Sequence, residues 1–163
     1  MDAMLTYIKK DSPIDKLTGA TKLICFIFWT LAAMLTYDTR VLIGMLIFSL
    51  IIFKVSKIEF KEVSFIVYFI LFFLLLNDLA IFIFSPYEGV NIYGTRHDIF
   101  HIVGPYTLTW EQLFYEFNVT LKYLSVIPMA LLFILATNPS EFAASLNKIG
   151  VSYKISYSVS IAL

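Results

Sequence analysis

VSFIVYFILFFLLLNDLAIFIF, residues 63–84, is the stretch that settles what kind of protein this is. Its first fourteen residues carry no charge, and the whole run holds only Asp78. An α-helix needs about 20 consecutive apolar residues to cross a hydrocarbon core of about 30 Å, and this run supplies them. Asn77 and Asp78 interrupt it late. A carboxylate in lipid costs several kcal/mol and is by default a functional candidate. In the far third of the span, however, Asp78 is placed to reach headgroups or a neighbouring helix, and a structural role is the reading adopted here.

The rest of the chain agrees with that stretch. Of 163 residues 60% are hydrophobic and 15% charged, and the mean hydropathy is +0.83. Soluble domains average about 45–50% apolar and about 25% charged, so this is an integral membrane protein. Twelve basic residues balance twelve acidic ones, and no net field points to nucleic acid. The single cysteine, Cys25, excludes an intramolecular disulfide and reads as a small core residue. The polar segment ahead of the first apolar run is too long for a secretory signal, and no small-residue cleavage site follows it.

Upstream lie two shorter runs, LICFIFWTLAAMLTY (23–37) and VLIGMLIFSLIIFKV (41–55), joined by Asp38, Thr39 and Arg40. They predict a transmembrane hairpin, the first run reaching full depth if residues 20–22 are also helical. Thr30, Ala32, Ala33 and Gly44 offer small surfaces at which the two helices approach. Ahead of them Ser12, Pro13 and Asp15 have the order of a helix start in a basic, amphipathic entry segment. Downstream, Pro, Gly and Asn punctuate residues 85–109, which predicts an outer loop with a β-hairpin. His97, Asp98 and His101 read as exposed polar residues there, because the four-residue histidine spacing points to a metal only on a helix. Thr109 and Gln112 form a capping box opening a long helix to residue 136. Within it Lys122 is placed to snorkel outward, Pro128 to kink the helix or free a carbonyl, and Trp110, Tyr115 and Tyr123 to form an aromatic belt.

Lysine distribution sets the orientation. With four spans, at about 20–37, 41–55, 63–84 and 110–136, one side holds Lys9, Lys10, Lys16, Lys22, Lys54, Lys57, Lys61, Lys148 and Lys154; the other holds Arg40, Arg96 and Lys122. Nine against three predicts a cytoplasmic N-terminus. The stretch ATNPSEFAASLNKIG (136–150) then emerges into the cytoplasm. Asn138 caps, Pro139 fits the first helical position, Glu141 sits where a capping-box acid reaches back, and Gly150 closes the helix. Phe142, Leu146 and Ile149 share one face, with Ser145, Asn147 and Lys148 elsewhere. Such an amphipathic rod suits a lipid surface or a partner's groove. Residues 151–163 alternate like a strand, but an open edge beside lipid would leave backbone groups unsatisfied, so a helix is expected. The chain stops in mid-pattern at Ile161, Ala162 and Leu163 and reads as cut short.

Phosphate-binding loops, H-E-x-x-H, G-x-S-x-G and paired cysteines are absent, and no enzymatic activity, cofactor or metal site is expected. Two stretches and the order of spans carry a resemblance. IDKLTGATKLICF (14–26) resembles, at Leu17, Lys22 and Leu23, the Leu-Asp-Pro-Arg-x-Lys-Leu opening of the transmembrane T component of energy-coupling factor (ECF) transporters, the family that includes the Q subunit of cobalt uptake systems. Thr18, Gly19 and Ala20 replace its Asp-Pro-Arg. LATNPSEFAASLNKIGVSYKISYSVSIAL (135–163) resembles the family's Thr-x-Pro-x-Glu, Leu and Leu-Gly-x-Pro series at Thr137, Pro139, Glu141, Leu146 and Gly150, with Ser152 where proline is usual. The short spans, outer loop and long helix follow the family's order.

The resemblance implies an all-α integral membrane protein of about four transmembrane helices in a bacterial plasma membrane, with a transmembrane domain over 1–136 and a coupling region beginning at 137–163. It implies two cytoplasmic ABC-type ATPase subunits and a membrane-embedded, substrate-binding S component as partners, and uptake of a vitamin or metal ion. Asn138, Pro139, Glu141, Phe142, Leu146, Ile149 and Gly150 are the expected coupling and partner interface. The family's paired Ala-Arg-Gly motifs are not in these 163 residues and are expected beyond them. The competing reading is a small membrane-anchored interaction or regulatory protein with no transport role.

Overall fold

A computed structural model of the chain describes residues 12–104, 106–148, 150–152, 154, 157 and 158. Four long helices fall on the four apolar runs: α1 (Gly19–Leu35), α2 (Thr39–Val55), α3 (Phe60–Phe84) and α5 (Trp110–Leu135). Between α3 and α5 come a short helix α4 (Glu88–Tyr93) and strands β1 (Asp98–Val103) and β2 (Tyr106–Thr109); a last helix α6 (Pro139–Lys148) follows α5. At 1.5 Å per residue, α3 and α5 are about 37 and 39 Å long and α1 and α2 about 25 Å. By length and composition, α3 and α5 are able to cross a membrane, while α1 is apolar but shorter.

The molecule is assembled on α5, which packs against α1, α2, α3, α4 and β2. Sequence explains its centrality. Asn118, Leu121, Lys122, Ser125, Met129, Leu132 and Leu135 recur at three- and four-residue spacing and are all buried, so α5 carries a mixed polar and apolar stripe that other helices must cover. By contrast α3 is apolar all round and buries only Val63 and Leu74, which suits a helix facing lipid. Its base joins α5 through Ile58, Val63, Leu131 and Leu135.

Several local expectations are corrected. Ser12 and Asp15 do clasp each other, with Ser12 Oγ donating to Asp15 Oδ2 at 2.8 Å, but the result is a turn. The helix starts at Gly19, where Thr18 accepts from the Thr21 amide. The polar turn before α2 lies at residues 36–38, and Asp38 caps α2 by accepting from the Arg40 amide at 2.8 Å. The α1–α2 pair is not sealed by small residues. Ala33 is fully buried, yet a Cβ on Gly44 would meet nothing. Both helices lie on α5 instead, touching where Trp29 stacks on Phe48. The helix α5 runs unbroken through Pro128, and next to the carbonyl that the proline leaves without its donor, the Trp29 indole donates to Ser125 O at 3.0 Å.

The expected β-hairpin is present, with β1 and β2 antiparallel and bulged at two points. The helix α4 is an unexpected addition, closed by Gly94 at φ 70. It sits directly on the start of α5, for a Cβ on Gly89 would lie 2.2 Å from the Glu111 carbonyl oxygen. That closeness also changes the predicted capping box. Thr109 accepts from the Gln112 amide at 3.2 Å, but the Gln112 side chain accepts from the Gly89 amide and donates to Glu116. The expected helix over residues 151–163 lies mostly outside the described residues.

Candidate functional site

The exit stretch folds as a capped helix docked on the beginning of α1. Asn138 Oδ1 accepts from the Ser140 amide at 3.1 Å and from its hydroxyl at 2.7 Å, and Pro139 opens α6. At the other end Gly150 takes φ 93, its amide donates to Asn147 O, and the Val151 amide donates to Leu146 O. Those two bonds make a Schellman closure, which only a left-handed residue permits without strain. Glu141 is exposed in the first turn, within electrostatic reach of Lys22. Ile149 lies outside the described residues.

Phe142 and Leu146 are buried within this chain. Phe142 sits edge-on to Phe133 of α5, which in turn stacks flat on Phe26 of α1. The contact with α1 is close enough to need glycine, since a Cβ on Gly19 would lie 2.9 Å from Phe142 Cα. Beside it the Ala20 amide, one of the α1 amides with no partner inside the helix, donates to Ser145 Oγ at 2.9 Å, and Ser145 Oγ donates to Phe142 O. Ser145 therefore belongs to the buried face together with Phe142, Ala143 and Leu146, contrary to its expected place away from that face. Its three-residue distance from Phe142 was the available signal. Glu141, Ala144, Asn147 and Lys148 form the exposed face.

Two lysines complete the arrangement. Lys22 of α1 is buried, and its ammonium donates to Ala136 O at the end of α5. Lys122 of α5 is buried too, donating to Met34 O at the end of α1 at 2.9 Å and lying 3.8 Å over the Tyr37 ring. Lys122 thus turns inward, where snorkelling was expected. The reason is the orphan carbonyls of a helix C-terminus: unsatisfied they are costly in lipid, and they attract a cation. Each helix of the α1–α5 pair supplies the cation that satisfies the other's end.

Several other polar side chains tie elements together. Asp78 Oδ2 accepts from Thr120 Oγ1 at 2.9 Å, tying α3 to α5. His97 is exposed, as expected, and its side chain also pairs with Glu111, whose carboxylate accepts from Thr95 Oγ1 and from the His97 amide, each at 3.0 Å. His101 pairs with Thr107. Glu111 thereby clamps the loop before β1 onto the start of α5. Among the described residues, no group of three or more His, Cys, Asp or Glu is placed to hold a metal ion. Over residues 10–163 the sequence matches the CbiQ family, described as cobalt transport protein. No curated relative matches the chain significantly.

Proposed function

Since the chain belongs to the CbiQ family of cobalt transport proteins, we propose that it is the membrane coupling subunit of an ECF-type ABC importer, with no catalytic activity of its own. In this reading four helices span the membrane with the N-terminus inside, and α6 begins the cytoplasmic coupling region. Two ATPase subunits bind and hydrolyse ATP, and their closure is passed through α6 and the residues that follow to an S component, which releases a cobalt ion or a vitamin inward. Asn138, Pro139, Glu141, Phe142, Leu146, Ile149 and Gly150 form the coupling element. Asn138, Pro139 and Gly150 fix its ends, Phe142 and Leu146 hold it to α1 and α5, and the face bearing Glu141, Ala144, Asn147 and Lys148 meets the partners.

The observation that carries the reading is the docking of a capped helix onto the α1 start and the α5 exit, in a chain matched by the family over nearly its whole length. A displacement of α6 acts on both of these helices, because Gly19 lets α6 touch α1 backbone to backbone and Lys22 ties α1 to Ala136. The test uses the full-length protein co-expressed with its ATPases and S component. Ala144→Arg, on the exposed face, should weaken co-purification of the partners and lower uptake of radioactive cobalt or vitamin while thermal stability stays unchanged. Leu146→Asp should lose both assembly and stability. An intact complex and full uptake in both variants would overturn the assignment of α6.

A further inference from the structure

The bulges of the hairpin decide which way its side chains point. Residues opposite one another in an antiparallel pair share a face, and Phe100 stands opposite Leu108 and Val103 opposite Tyr106. In a regular strand, residues three apart lie on opposite faces. The irregularity between His101 and Val103 turns Val103 round to the side of Phe100. One face of the hairpin therefore bears Phe100, Val103, Tyr106 and Leu108, all apolar or aromatic. The other bears His101 and Thr107, whose side chains meet at 2.9 Å, and the buried Thr109.

The apolar face continues the outward surface of α3. The Tyr106 ring packs on Phe82, and its hydroxyl donates to Ile83 O at 3.3 Å in the last turn of that helix. Ile83 and Phe84 are exposed there, as is Trp110 where β2 runs into α5, and exposed aromatic residues at span ends suit the membrane interface. Phe100 and Val103 are 64% and 71% exposed, so water is an unfavourable surrounding for them. A stable protein interface takes about 800 Å² and about 20–30 residues from each side. Four side chains on a two-stranded ribbon fall short of that by themselves, whereas a lipid surface sets no minimum. Two features limit the depth. Among the described residues β1 pairs only with β2, and the groups along its other edge would be costly in hydrocarbon. The Arg96–Asp98 ion pair at its base is half exposed and belongs in water.

We infer that the hairpin is an interfacial anchor, with the face bearing Phe100, Val103, Tyr106 and Leu108 set into the headgroup and upper acyl region of the leaflet that α3 reaches at Phe84. Because β2 leads straight into α5, the anchor holds the start of α5 at a fixed depth. The inference rests on the reading of the chain as membrane-embedded and is independent of which subunits it couples. The test places a bimane label at Phe100→Cys in full-length protein carrying Cys25→Ser, reconstituted into phosphatidylcholine vesicles. Phosphatidylcholine with a nitroxide high on its acyl chain should quench the label more than one with the nitroxide near the chain end, and aqueous iodide should quench it least. Adding Val103→Asp should reverse the order in favour of iodide. Dominant iodide quenching in the absence of Val103→Asp would overturn the anchor, and so would a label that neither iodide nor lipid reaches, which would mean cover by protein. Lipid quenching unchanged by Val103→Asp would refute the assigned face. Should the Phe100→Cys protein fail to fold, the label moves to Val103→Cys, with the same outcomes and Phe100→Asp as the reversing change. A label at Phe72→Cys, midway along α3, separates the two readings. If lipid reaches residue 72 but not residue 100, the anchor falls and membrane embedding stands; if it reaches neither, both fall.

Discussion

At Lys22 a charged side chain was legible in the sequence but its work was not. Lysines near span ends ordinarily reach outward to the interface, and a single sequence does not reveal that the end of another helix lies within reach. Lys22→Met keeps the stem and removes the donor, leaving the Ala136 carbonyl short of a partner. The expected loss is about 1–3 kcal/mol, the usual cost of a buried unsatisfied polar group, read as a lowered Tm in detergent. Gly19 was visible only as a departure from the family's Asp-Pro-Arg opening, and the structure supplies its reason. Gly19→Val would drive a side chain into the Phe142 backbone, and hydrogen exchange should then show α6 amides losing protection while those of α2 keep theirs. Asn138, Pro139 and Gly150 were readable because capping is local chemistry; for Ser145 only the spacing from Phe142 was readable, and not its partner, because the Ala20 amide lies on a helix more than a hundred residues away in sequence.

Among the elements, long apolar runs announced four helices, and the turn residues between 85 and 109 announced a hairpin. The helix α4 stayed hidden because six residues, EGVNIY, are too few for a periodic pattern and stand among glycine and asparagine. Its place is held by tertiary contact: Gly89 against the α5 backbone and the Gln112 side chain on the Gly89 amide. Gly89→Ala should therefore lift α4 from α5. Exchange of residues 88–94 should accelerate at least tenfold, corresponding to a local loss of about 1.4 kcal/mol, with little change elsewhere. Glu111→Ala removes the clamp on Thr95 and His97. It should open the loop before β1 to limited proteolysis while the helices remain intact by circular dichroism.

For the molecule as a whole, membrane residence follows from composition, while the proposed orientation rests on lysine counting, a statistical bias of insertion rather than of folding. Packing is the part that composition leaves blank. Both α3 and α5 are apolar enough to span, yet one faces outward nearly everywhere and the other organises the molecule. What separates them in the sequence is the polar series Asn118, Lys122 and Ser125 of α5, set against a single interruption in α3. With Cys25 replaced by Ser, a cysteine at Thr95 should react with an impermeant maleimide in intact cells, and one at Lys148 only after permeabilisation. The reverse pattern would place α6 outside the cell and overturn the proposal that it is a coupling helix.

The crossed lysines of α1 and α5 limit how this pair is able to move. Sliding one rod past the other by a thread of about 5.4 Å would pull both ammonium groups off their carbonyls at once, inside a solvent that offers nothing in exchange. Rocking leaves both struts in place. A push delivered near residue 140 should consequently tip α1 and α5 together like a single plank, and never ratchet them.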